Sequence, residues 1–203
     1  MDEAAQGEET VAELQRQLGE LRQALRRKTE EAGLLRLQLD ALSTTEITTG
    51  LLNRSGLVDA IETALQRLAR LGEPFAVVGV RIPALGRVVG ASPAVIREAV
   101  RHIGGMIAAG LRDLDRTGRL DDTTFVAVAA LTTPNAYAAV LDRLRTVLTA
   151  GPLTIGAQTV DPDPQFGVVV ADPSSRGEPT SILQLAEDLL AGASEGATPV
   201  VRL

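Results

Sequence analysis

Two arginines and an aspartate carry the clearest chemistry in this chain. Arg112 and Asp115 stand three residues apart, and Arg143 follows on the next helical segment. A guanidinium offers planar donors that grip a phosphate or carboxylate in pairs, whereas an ionised carboxylate only accepts. Arginine donors of this kind suit an anionic ligand. The three also have an ordinary reading, with Arg112 favoured by the dipole of a helix end and Asp115 capping a turn. Next comes Arg119-Leu120-Asp121-Asp122-Thr123-Thr124-Phe125, a polar tetrad set before an apolar run. His102, the only histidine, has no histidine or cysteine near it in sequence and reads as structural. Gly104-Gly105 reads as a close-packing site, not a phosphate loop. Asp161-Pro162-Asp163-Pro164 reads as a stiff connection, although its paired carboxylates could bind a cation. No Ser/His/Asp arrangement is evident, and the absence of cysteine excludes thiolate catalysis, disulfides and Cys-ligated zinc.

The elements that must position these residues begin after Ser43, where strands and helices alternate. The pattern predicts a turn at Gly50 to Asn53 and an amphipathic helix over Leu57–Leu71, stopped by Gly72-Glu73-Pro74. Phe75 to Ile82 is an apolar run that fits a central strand buried on both faces. Pro93 to Leu114 reads as a helix, with Ser92 as N-cap and Pro93 at its first position. Arg116 to Leu131 reads as a strand, a tight turn at Asp121 to Thr124, and a second strand. A helix over Tyr137–Leu148 follows, then strands near Leu153–Val160 and Phe166–Val170, a helix over Ser181–Leu190 and a last strand at Pro199–Leu203. The fold class is α/β (α+β), a central sheet flanked by helices.

Before Ser43 the grammar differs. Val11, Leu18, Leu25, Ala32 and Leu39 fall at position a of a heptad, and Leu14, Leu21, Leu35 and Leu42 at d, with Lys28 the one polar d residue. This predicts a coiled coil over residues 11–43, with Glu31 facing Arg36 of a second copy in a parallel dimer. A single amphipathic helix packed on its own domain is the alternative. Residues 1–10 lack apolar periodicity and are expected to be disordered.

Five segments in order resemble the GGDEF family, the diguanylate cyclases: Thr49-Gly50-Leu51-Leu52-Asn53-Arg54, with Glu46 where the family motif opens on Asp; Arg70 to Val78; Arg112 to Val128; Phe166-Gly167-Val168-Val169; and Leu185 to Leu190. The resemblance covers about residues 46–203, which puts the domain at 44–203, and implies a nucleotidyl-cyclase-like fold. It also implies two divalent metals, held by an acid at the end of the first central strand and another in the signature hairpin. Arg81 stands at the strand position, Asp121-Asp122-Thr123-Thr124 replaces Gly-Gly-acid-Glu, and Ser194 falls where a phosphate-binding lysine is usual. The base-reading Asn and Asp of the family have no clear counterpart between Arg87 and Arg97. These replacements lead to the expectation of a degenerate domain that is not an enzyme, with no catalytic residue, metal or resident cofactor. Arg-x-x-Asp before the hairpin resembles the family's inhibitory site for cyclic di-GMP, which would take Arg112, Asp115 and Arg143. The expected function is a cyclic di-GMP receptor acting as a coiled-coil homodimer through Val11 to Leu42; the alternative is a ligand-independent interaction scaffold with a protein partner.

Composition narrows the partners. A formal charge of -6 argues against a general nucleic-acid binder, which needs a basic face. Three Phe and one Tyr leave little for stacking single-stranded bases. No apolar run approaches the roughly 20 residues that span a bilayer, and the acidic start, MDEAAQGEE, is unlike a secretory signal. A cytoplasmic protein is the expectation.

Overall fold

The computed structural model describes residues 16–33, 43–88, 90–193 and 197–203. The chain divides into two compact units, Met1–Leu42 and Ser43–Leu203. In the first, residues 16–33 form a helix, α1, whose side chains are exposed throughout. Leu18, Leu21 and Leu25 are 48%, 68% and 68% exposed. Lys28 pairs with Glu31 of its own helix at 2.8 Å. Arg36 and the outer parts of the expected coil lie outside the described residues.

The second unit is built on a five-stranded sheet in the order β2-β3-β1-β6-β7. Its strands are β1 (Phe75–Arg81), β2 (Arg116–Arg119), β3 (Thr124–Ala130), β6 (Gln165–Ala171) and β7 (Val200–Arg202). All neighbours are antiparallel except β6 and β7. The central strand β1 is buried on both faces as its unbroken apolar run requires. On one face Ala76, Val78, Val80, Phe125, Ala127, Phe166 and Val168 meet helices α4 (Pro93–Ala109) and α5 (Tyr137–Leu148). On the other, Phe75, Val77, Val126, Val128 and Val169 meet α2 (Arg54–Leu71) and α6 (Pro179–Ala191). Full burial of one such aliphatic side chain stabilises by roughly 1.5–3 kcal/mol.

The helix signals act as their chemistry suggests. Asn53 caps α2 by accepting from Gly56 N–H at 3.0 Å, and Gly72, with φ 68°, ends it through an N–H to Leu68 O. Ser92 caps α4 by accepting from Val95 N–H. Three boundaries differ from the sequence reading. The predicted helix Pro93 to Leu114 ends at Ala109, because Gly110 packs on α5, where an added Cβ would lie 3.0 Å from Val147. The strand near Leu153–Val160 is a hairpin of its own, β4 (Leu153–Ile155) and β5 (Gln158–Val160). A short helix, α3 (Pro83–Arg87), was not foreseen. At Gly104 a Cβ would lie 3.0 Å from Leu51, a close-packing site, while Gly105 meets nothing.

The linker before α2 is bound to the edge of the sheet. Leu52 donates to Thr117 O at 3.0 Å and accepts from Arg119 N–H at 2.8 Å. The backbones come so near that a Cβ at Gly118 would lie 2.7 Å from Leu52 O and 2.5 Å from Leu57. Any side chain there would force the linker away from β2.

Candidate functional site

Arg112 and Asp115 of the Arg-x-x-Asp pattern gather with Arg143 at one end of the sheet. After α4 the chain turns through Gly110 to Asp115 into β2, and the Asp115 N–H donates to Arg112 O at 2.9 Å. Asp115 is 8% exposed. Its Oδ2 accepts from the Arg112 N–H at 2.9 Å, and its Oδ1 from the Ala130 N–H at 3.1 Å. The second bond serves a donor of β3 beyond the last β2 pairing, Arg116 with Val128. These are the contacts of a turn cap, and they hold the turn to the sheet. Arg143, on α5, donates from Nε to Gly110 O at 3.0 Å, so the contact of α5 with the end of α4 brings the second arginine to the same turn. The Arg112 guanidinium is exposed and has no hydrogen bond or ion pair among the described residues. Arg116 closes the far side, donating to the Asp113 and Asp115 carbonyls at 3.0 Å each.

The hairpin residues stand at the opposite end of the same strands, where Arg81 pairs in register with Thr124. The Ile82 N–H donates to Thr123 O at 2.8 Å. Arg81 turns its guanidinium to Leu190 O, at the end of α6, at 3.2 Å. Asp121 Oδ1 accepts from the Thr123 N–H at 2.8 Å and its hydroxyl at 3.2 Å. Burial pushes the Asp121 carboxyl up, but hydrogen bonds from Thr123 and Thr124 outweigh it and hold the group below its usual range. Thr124 is buried in β3. Ser194 lies outside the described residues.

Arg119 ties this hairpin to the linker. Its side chain, 10% exposed, meets Glu46 Oε2 at 3.1 Å and Asp122 Oδ1 at 2.9 Å and donates to Asp121 O at 2.8 Å. Glu46 also accepts from the Thr48 N–H at 2.8 Å, the Thr49 N–H at 3.0 Å and the Thr49 hydroxyl at 2.8 Å. Burial opposes its ionisation, yet the bonds from Thr48 and Thr49 lower its pKa to about 2. Sequence reasoning placed Glu46 and Arg119 in their motifs but missed their pairing. Glu46 followed by Thr48-Thr49 signals a local cap; nothing in the spacing signals a partner at position 119.

The polar groups at this end are threonine hydroxyls, the guanidiniums of Arg81 and Arg119, and carboxylates already engaged. Among the described residues no three His, Asp or Glu side chains gather as a metal site. This donor set does not fit the divalent pair that the resemblance implies. Elsewhere, His102 lies on α4 beside the β4–β5 hairpin, and Asp163 faces Arg87 at 3.6 Å. No described helix is long and apolar enough to cross a membrane.

Solved structures share this fold. The GGDEF domain of FimX from Pseudomonas aeruginosa superposes with a TM-score of 0.65 at 18% identity, covering 79% of this chain and 99% of that one. The coiled coil and GGDEF domain of DgcB from Caulobacter crescentus, in complex with c-di-GMP, gives 0.63 at 17% identity over 90% of this chain and 99% of that one. Diguanylate cyclase SiaD from Pseudomonas aeruginosa, in complex with its activator SiaC, gives 0.64 at 18% identity over 100% of this chain and 78% of that one. No curated protein matches the sequence. Residues 43–197 match the family described as "Diguanylate cyclase, GGDEF domain". This corrects the expectation that the chain is not an enzyme. The matched segment contains Arg81, the Asp121 to Thr124 tetrad and Ser194, so those replacements do not set the chain apart from a family of cyclases. By this match and by its fold, the chain belongs to the GGDEF family of diguanylate cyclases.

Proposed function

We propose that this GGDEF-domain signalling protein binds cyclic di-GMP at the Gly110 to Asp115 turn, with Arg112 and Arg143 as the ligand-gripping residues and Asp115 holding the turn in shape. The observation that carries the reading is the exposed Arg112 guanidinium, free of partners among the described residues, on a turn that also receives Arg143. Two donor-only side chains, Arg112 on the turn and Arg143 reaching it from α5, match a ligand with two phosphodiester charges. DgcB, of the same fold, has been solved in complex with c-di-GMP.

The protein acts as a homodimer through Val11 to Leu42. In support, α1 leaves the a and d residues Leu18, Leu21 and Leu25 exposed, a stripe that a second helix would cover. Calorimetry tests the ligand. Cyclic di-GMP is expected to bind with micromolar or tighter affinity, and Arg112→Ala to weaken it at least tenfold; an unchanged heat trace in the variant contradicts the assignment. A second reading, a scaffold for a protein partner, draws on the match of SiaD, solved with its activator, to the whole of this chain. It is favoured if no nucleotide binds and a partner copurifies.

A further inference from the structure

We infer that a cleft between the second half of α2 and the loop joining β6 to α6 binds a small amphiphilic anion, a carboxylate on a short apolar chain. The cleft holds about 470 Å³, within the range of small-ligand sites. Leu65, Leu68 and Ala69 of α2 and Pro173 of the loop give it an apolar side, and among the described residues Arg176 is the one charged group that lines it. The loop fixes that arginine. Asp172 Oδ1 accepts from the Ser174 N–H at 2.9 Å and its hydroxyl at 2.6 Å. The buried Ser175 hydroxyl accepts from the Asp172 N–H at 2.8 Å and donates to Leu203 O at 3.0 Å, which ties the loop to the end of β7. One terminal nitrogen of Arg176 then donates to Pro173 O at 3.3 Å and Ser175 O at 2.7 Å. A guanidinium has five N–H donors, and those on the other two nitrogens have no partner among the described residues. Both partners are neutral carbonyls, so the charge is held in place and left uncompensated. Asp172 is engaged by the serines, and Glu178 does not line the cleft. A fixed cation with open donors beside an apolar floor selects an anionic head group and rejects a cationic one. The floor takes the chain, each fully buried methylene adding roughly fourfold in affinity.

The test is titration of the isotopically labelled full chain with octanoate, butanoate and octylamine, read as amide shifts at residues 65–72 and 173–177. Octanoate is expected to saturate with a low-millimolar or tighter dissociation constant, and butanoate to bind at least about tenfold more weakly. Octylamine should leave these amides unmoved. Arg176→Ala should weaken octanoate at least about fivefold, and Ala69→Trp, which fills the cleft from an exposed position, should abolish binding without touching the loop. Equal shifts with octanoate and octylamine, or unchanged octanoate affinity in Arg176→Ala, overturn the anion selectivity. No shift at these amides in millimolar octanoate, or full binding in Ala69→Trp, overturns the cleft as the site. Neither outcome depends on cyclic di-GMP binding at Arg112.

Discussion

The two ends of strand β3 are rich in charge but use it differently. At the Thr124 end, Arg119 lies between Glu46 and Asp122, Arg81 bonds the last turn of α6, and Asp121 folds onto Thr123. At the Ala130 end, about 20 Å away at strand rise, the carboxylate is closed onto backbone while the Arg112 guanidinium is left open. The difference teaches that a charged side chain is informative by what it is not bonded to. Cations matched to carboxylates or carbonyls hold the hairpin and linker together. The unmatched cation on the turn, Arg112, is available to a ligand.

Each prediction strikes one side of that contrast. Asp115→Ala should have the largest effect, since it strands two backbone N–H groups at the sheet edge; chemical denaturation should show a loss of roughly 2–4 kcal/mol. Arg112→Ala should leave the melting temperature within a degree or two yet weaken cyclic di-GMP at least tenfold, and Arg143→Ala should weaken it about three- to fivefold, because one of its donors is already engaged on Gly110 O. At the other end, Glu46→Gln should cost about 1 kcal/mol and leave ligand affinity unchanged. The Glu46 carboxyl is lowered from 4.5 to about 2 in the folded protein, so its contribution is complete above about pH 4.5 and lost as pH falls towards 2. Acid unfolding of Glu46→Gln should therefore show a shallower slope in that window. Asp122→Ala should do least, under about 0.5 kcal/mol, because its carboxylate is 92% exposed and screened by water.

Much of the scaffold was legible because local chemistry decides it. The unbroken run from Phe75 marks a strand buried on both faces, and Ser92-Pro93 and Gly72 mark helix ends through capping and φ preference alone. The end of α4 was not legible, since the apolar stripe continues through Leu111 and it is α5, packed against Gly110, that forces the turn. For the proposed site, the resemblance named Arg112 and Asp115, and counting onward named Arg143. The division of labour between them was hidden. That Asp115 faces Ala130 and that Arg119 faces Glu46 are long-range pairings fixed by strand register and linker path, which residue spacing does not encode.

The central claim is that ligand meets the turn end and not the hairpin end. Titration of the isotopically labelled full chain with cyclic di-GMP, read as amide chemical-shift changes, separates them directly. The account predicts shifts concentrated at Gly110 to Arg116 and around Arg143, with residues 119–124 and Glu46 unmoved. Shifts centred on Asp121 to Thr124 and Arg81, with the Arg112 turn silent, would contradict it.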